Sequence, residues 1–370
     1  MKKIFILFFL ASFLFINNLA FANEVSIEDD NEYELEAPKA LKLNEWGATN
    51  QWHLDVVNNI VDFSFNQYEA ITVAVLDTGV SRVSDLSCVN FVNEYDATNG
   101  VSGIGSGVDK NGHGTKAALL IAACNDGPYG KGIASGINIM PVKVLSDRGI
   151  GLWSWVRDGI YWAVDNGADV INMSLGSYCG RTWYQGCRIS WLDDAIEYAA
   201  SRNVALIAAS GNFGSNYVMY AANHPEVIAV GALKDSPGGK LDNLQITSYS
   251  NRGEALDFVA PGQVETLLGS ASGTSFSSPQ VAAAYAVFKN DNPGISLNTI
   301  KEGLVCTVVD LGSKGWDPTY GHGLIQINAT AKILNQGLLQ KPFFADNKLD
   351  FSFENKNMHI HWPFLDDCNG

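Results

Sequence analysis

Positive charge is scarce in this 370-residue chain. Its 24 lysines and arginines stand against 39 aspartates and glutamates, for a net charge of −15. Such a surface repels phosphate backbones and anionic lipid, which excludes nucleic acid and anionic membrane surfaces as partners. Long apolar runs are missing as well. The longest, residues 4–16, is short for a bilayer span and is stopped by Asn17-Asn18, so stable membrane insertion is not expected. Phosphate-binding loops and dinucleotide glycine fingerprints are absent, as are internal repeats and low-complexity tracts. The G-x-S-x-G elbow of lipases and esterases is absent too. The six cysteines are scattered rather than set at zinc-ligand spacing, so no metal site is assigned to them.

What the chain does have is a globular composition, 46% hydrophobic and 17% charged, enough for a large core. Residues 1–22 read as a secretory signal, with Lys2 and Lys3, the apolar run, and Ala20-Phe21-Ala22 as a small-x-small cleavage site. A secreted or periplasmic protein is therefore expected. In an oxidising compartment six cysteines allow three disulfides, in fifteen connectivities. Residues 23–45 are acidic and polar, and read as a flexible leader.

From residue 71 apolar strands alternate with helices. Ile71-Thr72-Val73-Ala74-Val75-Leu76 is a continuous β-forming run, as a strand buried on both faces of a parallel sheet requires, and it ends in Asp77-Thr78-Gly79. Helices are expected over 116–123, 152–165 and 191–202, and strands over 138–145, 170–174, 204–209, 227–230 and 256–259. This alternation predicts an α/β fold, a mostly parallel sheet with helices on both faces in three layers. The loops after three strands carry Asp77, Gly176 and Asn212. All three open on one edge of the sheet, where open α/β folds place their sites. The tail reads as a short C-terminal β-hairpin, 349–353 with 358–362, in which His359 and His361 share an ordinary solvated face.

Gly273-Thr274-Ser275-Phe276-Ser277-Ser278-Pro279 precedes an alanine-rich apolar run, 280–288. That pattern puts a serine at the start of a buried helix, with proline in its first turn. Unpaired N–H groups and the positive end of the helix dipole lie there. Such a place suits an N-cap, and equally a nucleophile whose reaction creates an oxyanion. Asn111-Gly112-His113-Gly114-Thr115 opens another helix. Taken together, Asp77, His113, Asn212 and Ser275 supply what serine hydrolysis needs. One group loses a proton, one takes it, a carboxylate fixes the imidazole tautomer, and an amide meets the oxyanion.

These motifs resemble the subtilisin-like serine proteases, the subtilases. The matching stretches are Val75-Leu76-Asp77-Thr78-Gly79, Asn111-Gly112-His113-Gly114-Thr115, Met173-Ser174-Leu175-Gly176, Ala209-Ser210-Gly211-Asn212, Gly273-Thr274-Ser275 through Pro279, and Tyr320-Gly321-His322-Gly323-Leu324. The Asp, His, Ser order is the family's own. The resemblance covers residues 46–335, leaving 336–370 as a tail. It implies a subtilisin-like fold and a serine endopeptidase acting on protein or peptide substrates, with a monomer expected. Ser275 would be the nucleophile, His113 the general base and then acid, Asp77 the orienting carboxylate and Asn212 the oxyanion donor. Ser174, Leu175, Gly176, Gly149, Gly151, Ala209, Ser210 and Gly211 would bind the substrate backbone. Met219 would stand in the specificity pocket, where the family's best-known member has glycine. A catalytically silent binding protein of the same fold is the alternative, against which the four intact groups argue.

The resemblance implies no cofactor for the chemistry. It allows a structural calcium, since Asp85 and the Asn125-Asp126 loop fall where many members hold one. Cys88 and Cys124 flank those segments and are expected to pair, as are Cys179 with Cys187 and Cys306 with Cys368. Three features depart from the family pattern. Lys116-Ala117-Ala118 follows the histidine motif where another histidine and Val-Ala-Gly are usual. Phe276 and Ser277 replace methionine and alanine. About twenty residues separate the signal from Trp46, too few for the usual inhibitory prodomain.

Overall fold

The computed structural model describes residues 52–57, 71–124, 131–177, 189–234, 241 and 244–337, with the backbone of 26–28, 351–354 and 357–360. The strands are β1 (Ser26–Glu28), β2 (Thr72–Asp77), β3 (Tyr95–Asp96), β4 (Val101–Ser102), β5 (Asn138–Lys143), β6 (Ile150–Leu152), β7 (Val170–Met173), β8 (Ala205–Ala209), β9 (Val227–Lys234), β10 (Gln245–Ile246), β11 (Phe258–Pro261), β12 (Gln263–Thr266), β13 (Gly269–Ser272), β14 (Phe351–Glu354) and β15 (Asn357–Ile360). The helices are α1 (Trp52–Val56), α2 (His113–Ala122), α3 (Trp153–Asp165), α4 (Ser190–Ser201), α5 (Ser278–Asp291), α6 (Leu297–Val305) and α7 (Ile327–Asn335).

Nine strands form the main sheet, in the order β10-β9-β8-β7-β2-β5-β3-β4, with β11 added on β9. Its centre, from β9 through β5, is parallel throughout. The central strands β2, β5, β7 and β8 are buried along their whole length, which is why their sequences read as unbroken apolar runs. Steps from β2 to β5 and from β5 back past it to β7 run in opposite directions along the sheet. With right-handed crossovers, α2 therefore lies on one face, and α3 and α4 on the other. Helix α5 packs on α2 and across β7 and β8. Its residues Val281 to Phe288 are fully buried, so it serves as the axis of one layer. The result is the three-layer α/β fold expected from the alternation.

Strand β9 runs four residues further than expected, to Lys234, because β10 and β11 both pair with its far end. Helices α6 and α7, and the β12–β13 hairpin, add to the expected elements. The tail forms the expected antiparallel hairpin, with His359 opposite Ser352. His361 lies outside the described residues, as do the signal segment, Asn125-Asp126, Cys179, Cys187 and Cys368. The acidic leader departs from the flexible reading at β1, where Ser26–Glu28 pairs in parallel with Ile150–Leu152. The charge average over 23–45 hid the β-branched Val25 and Ile27, and β6 offered a free edge.

Candidate active site

Because β2, β7 and β8 are parallel, their C-terminal ends share one edge of the sheet, and Asp77, Ser174 to Gly176 and Ser210 to Asn212 follow there. Asp77 is fully buried and His113 is 4% exposed. The Asp77 carboxylate faces His113 Nδ1 with both oxygens, at 2.8 and 3.0 Å. It also accepts the Thr78 N–H at 2.7 Å. A carboxylate accepts only, so Nδ1 carries a proton, and in the neutral ring the lone pair sits on Nε2. Nε2 is buried and makes no hydrogen bond among the described residues. The elements approach closely here: a Cβ on Gly114 would run into the Gly79 carbonyl and the Asp77 side chain.

Ser275 lies in a one-turn 3-10 segment, Thr274–Phe276, just before α5, and Pro279 stands in that helix's first turn. Its hydroxyl donates to the Ser174 carbonyl at 3.1 Å rather than to His113. The Ser174 hydroxyl in turn donates to the Ser275 carbonyl at 2.7 Å and accepts from Asn172 Nδ2 at 2.9 Å. Ser174 thus braces the serine turn with both its side chain and its backbone. Phe276, buried between Leu120 and Val264, packs its ring 5.3 Å from the His113 ring.

The Asn212 amide is oriented by Thr274. Its Oδ1 accepts the Thr274 N–H at 2.8 Å and the Thr274 hydroxyl at 3.0 Å. An N–H needs an acceptor, so this fixes which amide atom is oxygen and leaves Nδ2 as the amide's donor. The Thr274 hydroxyl also accepts the Gly211 N–H at 3.1 Å, which ties the loop after β8 to the serine turn. Asn251, fully buried, accepts the N–H groups of Phe213 and Ser215 at 3.0 Å each. Neither Thr274 nor Asn251 stood out in the sequence, although Thr274 lies inside a motif already singled out.

Two backbone edges flank these groups. Ala209 ends β8, Ser210 donates its N–H to Val230, and Met219 donates its N–H to the Ser210 carbonyl. Ser177 pairs with Tyr220, which brings Leu175-Gly176 beside Met219. Met219 fills the slot between the edges. A Cβ on Gly176 would meet its Cβ and Cε at 3.4 and 3.5 Å, and one on Gly211 would overlap its sulfur. Gly149 and Gly151 lie at β6, away from that slot. The loop before β6 is tied by Asp147, which receives Lys143 Nζ at 2.9 Å and, through its carbonyl, Asn111 Nδ2 at 3.1 Å. The Lys143 hydrogen bond holds the Asp147 carboxyl below the usual range. Burial pulls Lys116, at the point where the histidine motif departs, below the usual lysine range.

Asp85 is buried, and the Cys88–Cys124 disulfide expected beside it is present. Cys306 is also disulfide-bonded. No cluster of three metal-ligating side chains occurs among the described residues. Asp85, whose carboxylate accepts the Ser84 hydroxyl at 3.1 Å, is a partial donor set for calcium, and the Asn125-Asp126 half of the expected site lies outside the described residues.

The sequence pattern of the subtilase family matches residues 69–323. Subtilisin DY of Bacillus licheniformis is 34% identical over 273 residues, 71% of this chain and 91% of that protein. Subtilisin Savinase of Lederbergia lenta is 37% identical over 268 residues, again 71% and 91%. The minor extracellular protease Epr of Bacillus subtilis (strain 168) is 35% identical over 268 residues, 70% of this chain and 38% of that longer protein.

Proposed function

The chain belongs to the subtilase family, and from that premise we propose that it is an exported serine endopeptidase in which Ser275, His113 and Asp77 carry out acyl transfer. One observation carries the reading: His113 is clamped at Nδ1 by both oxygens of a buried carboxylate, with Nε2 making no hydrogen bond among the described residues. His53 is buried with both ring nitrogens unpartnered among the described residues, so what sets His113 apart is the carboxylate clamp at Nδ1 on the sheet edge that also carries Ser174 and Asn212.

In the proposed reaction the Ser275 hydroxyl turns from the Ser174 carbonyl to His113 Nε2. This exchanges one hydrogen bond for another, a step of about 1 kcal/mol at most. Its oxygen attacks the scissile carbonyl carbon while the proton passes to Nε2. The imidazolium so formed is held by Asp77, already paired at Nδ1. The carbonyl oxygen becomes an oxyanion that Nδ2 of Asn212 would stabilise, an amide already anchored through Oδ1 by Thr274. His113 then gives its proton to the leaving amine, the C–N bond breaks, and Ser275 is left acylated. Water repeats the sequence and releases the acid. Gly176, Leu175 and the Ala209 to Gly211 edge would hold the substrate backbone. Gly151 is bridged by Leu145 on one side and Ile27 of β1 on the other, so a clamp at Gly149 and Gly151 would require β1 to leave. Met219 would set the depth of the pocket before the cut. Export rests on the signal-like residues 1–22, and fits a relative named as extracellular.

The test compares wild type with Ser275→Ala on a casein-type substrate and with a fluorophosphonate label. Wild type should cleave and take one label. The variant should do neither, while keeping the same circular dichroism. Peptide hydrolysis by pure Ser275→Ala protein refutes the assignment. A folded wild type that neither cleaves nor labels favours the silent binding protein.

A further inference from the structure

We infer that Asp109, a buried carboxylate outside the proposed triad, is a positioning residue that sets Asp77 and His113 against each other; this rests on the endopeptidase reading. Asp109 is 7% exposed, and five donors converge on it. Its Oδ1 accepts the Thr78 hydroxyl at 2.9 Å and the N–H groups of Asn111 and Gly112 at 2.8 and 2.9 Å. Its Oδ2 accepts the Thr115 N–H at 3.0 Å and the Thr115 hydroxyl at 2.6 Å.

Those donors come from two separate pieces of chain. Thr78 follows Asp77 at the end of β2. Asn111, Gly112 and Thr115 surround His113 at the start of α2. The Thr78 hydroxyl also accepts the Gly114 N–H at 3.0 Å, and the Thr115 hydroxyl accepts the Ser81 N–H at 3.0 Å. The Asp109 carbonyl takes the Ser81 hydroxyl at 2.6 Å. Four of these bonds, Thr78 to Asp109, Gly114 to Thr78, Ser81 to Thr115 and Ser81 to the Asp109 carbonyl, join the aspartate turn to the histidine turn, and the other four brace the histidine turn itself. Asp109 also answers N–H groups in the first turn of α2, which would otherwise lack partners, and its charge suits the positive end of that helix. Without its carboxylate, the Thr78 and Thr115 hydroxyls that link the two turns would lose the acceptor that orients them, and more of the alignment would fall on the Asp77–His113 contact. That contact would then have to hold the imidazole and locate the helix at once. Asp109 takes the second task, so the triad carboxylate can be devoted to the ring. A displacement of a fraction of an ångström at His113 is felt as rate, because proton transfer to Nε2 needs hydrogen-bond geometry.

Asp109→Asn tests this. The amide keeps an acceptor for Thr78 and the two loop N–H groups, but presents NH2 to Thr115, where two donors now meet a donor. Turnover is measured per active site, counted by burst titration, so that misfolded protein drops out. We expect kcat per titrated site to fall roughly 10- to 100-fold, with KM within about twofold, because the loss lies in aligning the base rather than in binding peptide. Thr115→Val, which removes one donor while keeping shape, should lower kcat by roughly 3- to 10-fold, and it keeps the test available if Asp109→Asn does not fold. A merely structural Asp109 would lower the melting temperature and the titrated fraction, but leave kcat per site unchanged. Unchanged kcat in either folded variant of an active enzyme overturns the inference and spares the endopeptidase reading. A wild type without activity or label overturns both.

Discussion

Lowering the pH from 7 to 4 should cost this protein about 3 kcal/mol of stability through one side chain, His53. His53 lies on α1, is 1% exposed, and has no hydrogen-bond partner at either ring nitrogen among the described residues. Burial without a partner disfavours the imidazolium and pushes the pKa from 6.5 down to about 4. The unfolded chain keeps the ordinary value. Between these values, therefore, the unfolded state binds a proton that the folded state refuses. Stability is whole above about pH 6.5, drains as pH falls towards 4, and loses no more from this group once both states are protonated. The interval from 6.5 to about 4, at roughly 1.4 kcal/mol per pH unit, gives the 3 kcal/mol. The assay is urea unfolding at pH 7, 6, 5 and 4 in a Ser275→Ala background, which prevents self-digestion. Other groups titrate in the same range. Burial raises Asp169 and Glu302, which act with the opposite sign, and lowers His322, which acts with the same sign. A parallel series on His53→Leu cancels them. The difference between the two series should shrink by about 3 kcal/mol from pH 7 to pH 4. A difference that stays flat refutes the reasoning, since it means His53 is solvated or paired.

Met219→Gly should open the slot between Gly176 and Gly211 and raise kcat/KM for peptides with Phe or Tyr before the cut, relative to Ala or Val, by roughly 10- to 200-fold. A peptide library run on both enzymes decides it: a wild type that already prefers Phe or Tyr, with a profile unchanged in the variant, removes Met219 from the pocket. The Cys88–Cys124 bridge spans 36 residues and ties the turn holding Asp85 to the end of α2, so replacing both cysteines by serine should cost about 2–4 kcal/mol in chemical unfolding. Peptide mapping of unreduced protein that finds Cys88 free refutes it, and the same map tests the expected Cys306–Cys368 pair.

The parts of the fold legible in the sequence are those where one local rule and the tertiary environment agree. Strand β2 could be read because residues 72–76 are β-formers and are also buried on both faces, so propensity and burial give one pattern. Helix α5 could be read because Pro279, the small residues before it and the alanine run all belong to one buried helix start. The elements that escaped have no such agreement. Strands β3 and β4 are two residues long, and exist through pairing with β5 and each other rather than through their own sequences. Strand β9 continues through Gly231, a weak strand former, because β10 and β11 hold it there.

The site divides along the same line. Asp77, His113, Asn212 and Ser275 announce themselves because glycines or small residues flank each one, and close approach demands them locally. Their supports are chosen by residues distant in the chain. Ser174 reads as part of a substrate strand, yet its hydroxyl is spent on Ser275, 101 positions away. Thr274 orients Asn212 across 62 positions, and Asn251 reaches back 38 to Phe213. Asp109 is the instructive middle case. Four of its five donors lie within six residues, a pattern that an Asx-type turn before a helix could have suggested. The fifth, Thr78, is 31 positions away and turns a local cap into a tie between two turns of the site. A local pattern can therefore reveal that a carboxylate caps a helix, but only the packing of β2 against α2 turns that cap into a tie between the turns of Asp77 and His113.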